Sequence, residues 1–154
     1  MVIIKEAVNS GVWFHCEYKG YDEIIKFRLK VNSFRKLNLK EIDNPQEIEM
    51  LESDAILMLM EVEVINLNKE SKNSGDQVES LLLIDQDGFN FTVFSDSHLC
   101  WDSNFAKKTR LNRFYSEQLI PKIKTKGSLV FQLPNDDEAE YSIALKDNGI
   151  IQEV

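Results

Sequence analysis

The side chains best suited to chemistry in this sequence gather in three places. The two cysteines each lie near a histidine, in His15-Cys16 and His98-Leu99-Cys100. Two imidazoles and two thiolates form a ligand set for tetrahedral zinc. Adjacent strand residues point to opposite faces, however, so His15 and Cys16 cannot both reach one ion from a strand. The spacing also matches no standard zinc pattern. These residues read as a core Cys16 and an exposed His15, with no metal and no cofactor. A Cys16–Cys100 disulfide would join an early strand to a late loop, and it would persist only in an oxidising compartment. The second place is Asp85-Gln86-Asp87-Gly88-Phe89-Asn90. It offers oxygens at alternate positions, like the start of a calcium loop, but lacks the closing bidentate glutamate. A hairpin turn accounts for the same residues.

The third place is a run of charge. Lys107, Lys108, Arg110, Arg113, Lys122, Lys124 and Lys126 fall within twenty residues and are opposed only by Glu117. Trp101, Phe105, Phe114 and Tyr115 are interleaved with them. An acidic stretch of Glu41, Asp43, Glu47, Glu49, Glu52 and Asp54 carries the opposite sign. Two solvated loops, or the two segments pairing across the fold, explain both stretches. The sharper reading is a basic-aromatic surface for an anionic partner. No recognition helix, aromatic nucleic-acid signature or zinc finger accompanies the basic run, so nucleic acid is not the expected partner.

Catalytic signatures are missing. There is no Gly-x-Ser-x-Gly, no phosphate-cradling glycine loop and no Cys-His pair at a known spacing. The chain has 154 residues, 43% hydrophobic and 29% charged, with a net charge of −8. That suits one soluble domain with its own core, and an acidic chain as a whole repels nucleic acid and anionic membranes. The longest apolar run, Ile56 to Met60, is far short of a membrane span. The start, Met1 to Gly11, has no basic region, apolar core or cleavage site. The expected location is therefore cytoplasmic, unless a leader has been removed.

The elements that must position these groups are strands. Val12, Phe14, Cys16 and Tyr18 alternate with His15 and Glu17. Ile25, Phe27, Leu29 and Val31 alternate with Lys26, Arg28, Lys30 and Asn32, the mark of a half-buried strand. Lys19 to Glu23 suits the hairpin between these two. In Ile56 to Ile65, Met58, Met60, Val62 and Val64 share one face. Leu57 and Leu59 share the other before Glu61 and Glu63 replace them. The first half of that strand should be covered on both faces and the second half on one. Leu81 to Ile84 reads as a central strand, turning at Asp87-Gly88 into Phe89, Phe91 and Val93. Leu129 to Leu133, Tyr141 to Leu145 and Ile150 to Val154 complete the set, joined at Pro134–Asp137 and Asp147–Gly149. Asn44-Pro45-Gln46-Glu47 reads as a capped helical start running to Leu51. Asn104 to Ser116 has weak helical character.

The order of these segments resembles a known family. Phe27-Arg28-Leu29-Lys30-Val31-Asn32-Ser33 is followed by an acidic insert and then by Val62-Glu63-Val64-Ile65-Asn66-Leu67-Asn68. Leu82-Leu83-Ile84-Asp85 and Asp87-Gly88 come next. Lys126-Gly127-Ser128-Leu129-Val130-Phe131-Gln132-Leu133-Pro134 then precedes Tyr141-Ser142-Ile143-Ala144-Leu145. This looks like the telokin-like domain of unknown function, an immunoglobulin-fold β-sandwich of bacterial lipoproteins and secreted proteins. The resemblance covers Lys26 to Lys146. The chain departs from the family in lacking a lipobox and in adding an N-terminal hairpin strand within residues 1–22. The resemblance implies a non-enzymatic binding module and supplies no catalytic residues.

The expectation is therefore an all-β, immunoglobulin-like antiparallel sandwich of about seven to nine strands with little helix, residues 1–154 forming one domain. It would be a non-enzymatic module binding another protein, an acidic one, through a sheet face, an exposed edge strand or the segment that carries Trp101, Phe105 and the seven cations from Lys107 to Lys126. The alternatives are a small-ligand or metal-binding sandwich and a homo-oligomer subunit with paired edge strands.

Overall fold

The computed structural model describes residues 1–49, 53–73, 77–101, 103–111, 113–116 and 118–154. Leu51, Glu52 and Glu117, and the side chain of Tyr115, lie outside the described residues. Two antiparallel sheets face each other. The five-stranded sheet has the order β11-β2-β3-β4-β9, with β2 Trp13–Lys19, β3 Ile24–Lys36, β4 Ala55–Asn66, β9 Lys124–Pro134 and β11 Ile150–Glu153. The four-stranded sheet has the order β1-β10-β6-β7, with β1 Val2–Ile3, β6 Leu81–Ile84, β7 Asn90–Thr92 and β10 Ser142–Leu145. β5 Lys72–Asn73 and β8 Gln118–Leu119 pair separately. The chain is an immunoglobulin-like β-sandwich, and the alternation of its apolar residues gives each sheet one buried face.

The period-two pattern sets what each sheet buries. Phe14, Cys16, Ile25, Phe27, Leu29, Val31, Met60, Val62 and Val64 all point between the sheets. They meet Leu81, Leu83, Ile143 and Leu145 from the facing sheet. β6 lies between β10 and β7, which is why its run of leucines is continuous. The hairpin turns also fall where the sequence puts them. Gly88 is at φ 88, and Asp85 accepts from the Asp87 and Phe89 amides at 3.0 and 2.9 Å. The side chain of Asp85 is thus used by the turn. Phe89 stays in this turn and is exposed, so the strand expected from Phe89 begins only at Asn90.

Three features depart from the sequence reading. Ile4–Ser10 is a helix, α1, which buries Ile4 and Ala7 and ends at Gly11 with φ 65. The Asn44-Pro45 signal yields only a 3-10 turn, Pro45–Glu47. Asn44 takes a left-handed φ of 48 and its side chain caps nothing. The capping box forms instead at Asn38 and Glu41, on the 3-10 turn Leu39–Glu41. The stretch from Ser97 folds as three short helices, α2 Ser97–Cys100, α3 Asn104–Lys108 and α4 Arg113–Ser116.

Those short helices answer a demand of β4. Leu57 and Leu59, with Val130 of β9, project from the outer face of the five-stranded sheet. Apolar groups there must be removed from water. Phe94, Leu99, Cys100, Phe105, Ala106 and Leu111 cover them from one side, and Leu37, Ile42 and Ile48 from the other. Both faces of the first half of β4 are thereby buried. In the second half Val62 and Val64 face inward while Glu61 is exposed. Glu63 is also buried, although the alternation left it on a solvated face. It is walled in by its neighbours on β3 and β9.

Candidate interaction surface

The covering helices leave the other half of the outer face open. Directly paired residues in a sheet project on the same side, with strands about 4.8 Å apart. Register therefore places Gln152, His15, Arg28, Ile65 and Lys124 in one row across all five strands. The next row is Trp13, Lys30, Glu63 and Lys126. A third pairs Ile150, Glu17 and Lys26. Five cations thus share one flat face with the carboxylates of Glu17 and Glu63, in a chain whose net charge is −8.

The carboxylates there are engaged. Glu17 accepts from His15 at 3.0 Å, and this bond, aided by Lys26, holds its carboxyl below the usual range. Glu63 lies 3.6 Å from Lys126 and directly opposite Lys30. The Lys30 ammonium lies 6.0 Å from the centroid of the Trp13 ring, a cation–π contact. Among the described residues, Arg28 and Lys124 make no ion pair. Lys122 is exposed at φ 64, flanked by exposed Ile120 and Ile123.

The basic-aromatic segment is therefore divided. Lys124 and Lys126 stand on the sheet face, joined there by Lys26, Arg28 and Lys30 of β3. Lys107, Lys108 and Arg110 are exposed on the covering segment, and Trp101 there is 40% exposed. Phe105 is a correction to the surface reading. It is 5% exposed and fills the outer apolar cluster, so it is not available to a partner. Phe114 is likewise buried, in the inner core. Arg113 is half-buried on α4.

The acidic and basic stretches do pack together. Asp43 accepts from the Asn104 amide at 2.7 Å, and Glu47 lies 3.4 Å from the His98 ring. Arg35 beside Glu41, with the Asn38 amide, holds the Glu41 carboxyl low, and Lys108 adds to this. Asp43, Trp101 and Lys107 wall a polar concavity of about 660 Å³ between the stretches.

The cysteines are separated by the sheet itself. Cys16 lies buried in the inter-sheet core and Cys100 buried in the outer cluster. His15 and His98 have carboxylate partners of their own. Burial pushes the Cys16 thiol far above its ordinary range, so it is a poor nucleophile. Denatured without reductant, the chain should take up iodoacetamide at both cysteines, whereas the folded protein should react slowly at either. A mass showing no uptake before reduction would reveal a disulfide and contradict this placement.

No protein-family model and no curated protein matches the chain. Among solved structures it is similar to a protein described as a lipoprotein from Bacillus subtilis, at 12% identity and a TM-score of 0.49. That match covers 83% of this chain and 36% of the other, so the chain spans about a third of that protein's length. It is similar to the secreted protein MPT63 of Mycobacterium tuberculosis, at 11% identity, TM-score 0.45, covering 79% and 83%. It is also similar to an uncharacterised β-sandwich protein of Clostridium difficile, at 12% identity, TM-score 0.44, covering 90% and 89%. These likenesses carry no residue and no activity over to this chain.

Proposed function

We propose that this protein is a non-enzymatic interaction module, a telokin-like sandwich that binds an acidic protein on the open half of its five-stranded sheet. The observation that carries the reading is the alignment of Lys26, Arg28, Lys30, Lys124 and Lys126 on one face by strand register. A flat basic face on an acidic chain steers an anionic partner and excludes like-charged ones. Trp13 and Ile65 supply apolar contact within it, and aromatic anchors are the residues that dominate interface energetics. The sheet fixes the backbone beneath these groups, so that only side chains are ordered on binding. The buried Cys16 thiol and the Asp85 carboxylate bonded within its own turn support the non-enzymatic reading.

The test is binding of a glutamate-rich peptide, measured by titration calorimetry at low and high salt. Replacing Lys26, Arg28 and Lys124 together with glutamate should weaken binding at least about tenfold, because each surface pair contributes up to about 1 kcal/mol. Raising the salt should weaken the wild-type complex. The same reversal at Lys107, Lys108 and Arg110 is the comparison. A loss confined to that second variant would move the site to the covering helices. Tighter retention of a short DNA duplex than of the peptide would sink the protein-partner reading.

A further inference from the structure

A second concavity lies away from the basic face, where α1 meets the end of β3 and the loop before β10. Its floor is apolar, formed by Ile4, Val8, Phe34 and Tyr141, and it encloses about 560 Å³. That volume is within the range of about 300 to 1,000 Å³ typical of ligand sites. Its rim is acidic. Asp137, Glu138 and Glu140 are exposed there, and Lys5 is the one cation among the described lining residues.

Hydrogen bonds and ring contacts tie the walls of the groove together. The Ile4 amide donates to the Tyr141 carbonyl at 3.0 Å and pins α1 to the loop. The Glu140 amide donates to Gln86 Oε1 at 3.0 Å, and the Glu138 amide to Asp136 Oδ1 at 3.0 Å. Tyr141 stands edge-on to Phe34 at 6.5 Å and to Phe91 at 5.9 Å, which fixes its ring. The local potential is negative. The Tyr141 hydroxyl is lifted above its ordinary value by burial first, then by Asp85 and Asp136.

We infer that this groove binds a basic, partly apolar peptide segment, with an aliphatic or aromatic side chain on the Phe34–Tyr141 floor and lysine or arginine against Asp137, Glu138 and Glu140. Charge complementarity selects this occupant. An acidic peptide would be repelled by the rim, and a purely apolar one would leave the carboxylates uncompensated. The aromatic floor also favours a cation drawn over a ring face. This site is independent of the basic sheet face and of its partner.

The experiment uses the full chain and an acetylated, amidated peptide of alternating lysine and leucine, followed by calorimetry and by amide shifts in NMR. Binding is expected with shifts at Val8, Phe34 and Tyr141. Glu138→Gln with Glu140→Gln should weaken it about tenfold, since two surface charge pairs together contribute on the order of 1.4 kcal/mol. These residues are exposed, so the double variant should keep its fold. Reversing Lys26, Arg28 and Lys124 should leave this binding unchanged. No binding, equal binding of a glutamate–leucine peptide, or no response to the double variant would overturn the assignment. Concentration-dependent self-association abolished by the same variant would give the groove to a second copy and overturn it too.

Discussion

Replacing Gly127 with alanine should destabilise the fold by about 3 kcal/mol, the upper range for overpacking a well-packed core. Gly127 lies on β9 opposite Val62 of β4, with its missing side chain directed inward. A Cβ there would lie 2.7 Å from Phe114 Cδ2 and closer still to Cε2 and Cζ. Phe114 is fully buried among the inner-core residues and cannot swing away. Intrinsic preference runs the other way, because alanine in a strand is favoured over glycine by roughly 0.5 to 1 kcal/mol. The sign of the result is therefore diagnostic. Denaturant midpoints of Gly127→Ala, Phe114→Leu and the double variant measure it. The double variant should be more stable than the sum of the two single losses, because the smaller side chain relieves the clash. A Gly127→Ala protein as stable as the parent would show that Phe114 is not seated on that glycine.

The same glycine shows how the sequence conveys the fold. Lys126-Gly127-Ser128 is visible as a strand start, but the reason for glycine is a ring thirteen residues earlier. The strands themselves are legible because Ile25, Phe27, Leu29 and Val31 must all face one way, and only a two-residue period allows that. The double coverage of β4 is legible for the same reason, since Leu57 and Leu59 cannot face water. What covers them is not, because α2 and α3 are too short to leave a helical period. α1 left its signal in Ile4, Ala7 and Val8 at helical spacing, closed by Gly11. The run Val2-Ile3-Ile4 obscures that spacing. At Asn44 a strong local cap signature lost to the backbone, which turns left-handed there and gives capping to Asn38.

The interaction surface was half legible. Counting charge along the chain finds Lys124 and Lys126 but groups them with Lys107, Lys108 and Arg110, which the fold carries to the covering segment. Lys26, Arg28 and Lys30 read as the solvated back of a strand, and each alone is that. They become a surface because β4 brings β3 and β9 to its two sides, setting Lys30, Glu63 and Lys126 in line. Residues about a hundred positions apart meet through register, and register belongs to the sheet rather than to any one strand. The groove was hidden for a similar reason, since its floor comes from three separate segments.

Replacing Asn66 with leucine should cost about 3 kcal/mol or more, although the two side chains are close in size. Asn66 ends β4 in full burial, and its amide is used to capacity. Nδ2 donates to the Leu119 carbonyl at 2.7 Å and to the Glu70 carbonyl at 3.0 Å. Oδ1 accepts from the Asn68 amide and from Gln77 Nε2, both at 2.9 Å. A leucine removes all four bonds, and the Leu119 carbonyl and Gln77 amide among these partners are buried; each buried polar group left unpaired costs about 1 to 3 kcal/mol. Asn68→Ala is the control. It also loses two side-chain bonds, to the Lys26 amide and the Ile24 carbonyl, but these are exposed and water replaces them. Its cost should stay near 1 kcal/mol. The Asn66 bonds tie the end of β4 to β8 and so hold the Ile120–Ile123 turn, whose Lys122 amide donates to the Asn66 carbonyl at 2.9 Å. Amide exchange at Lys122 should therefore quicken in Asn66→Leu but not in Asn68→Ala. Binding of the glutamate-rich peptide should weaken with it, because Lys122 and Lys124 lose their fixed positions beside the basic face. A leucine variant with parental stability and unchanged exchange would mean that the network merely fills space and positions nothing.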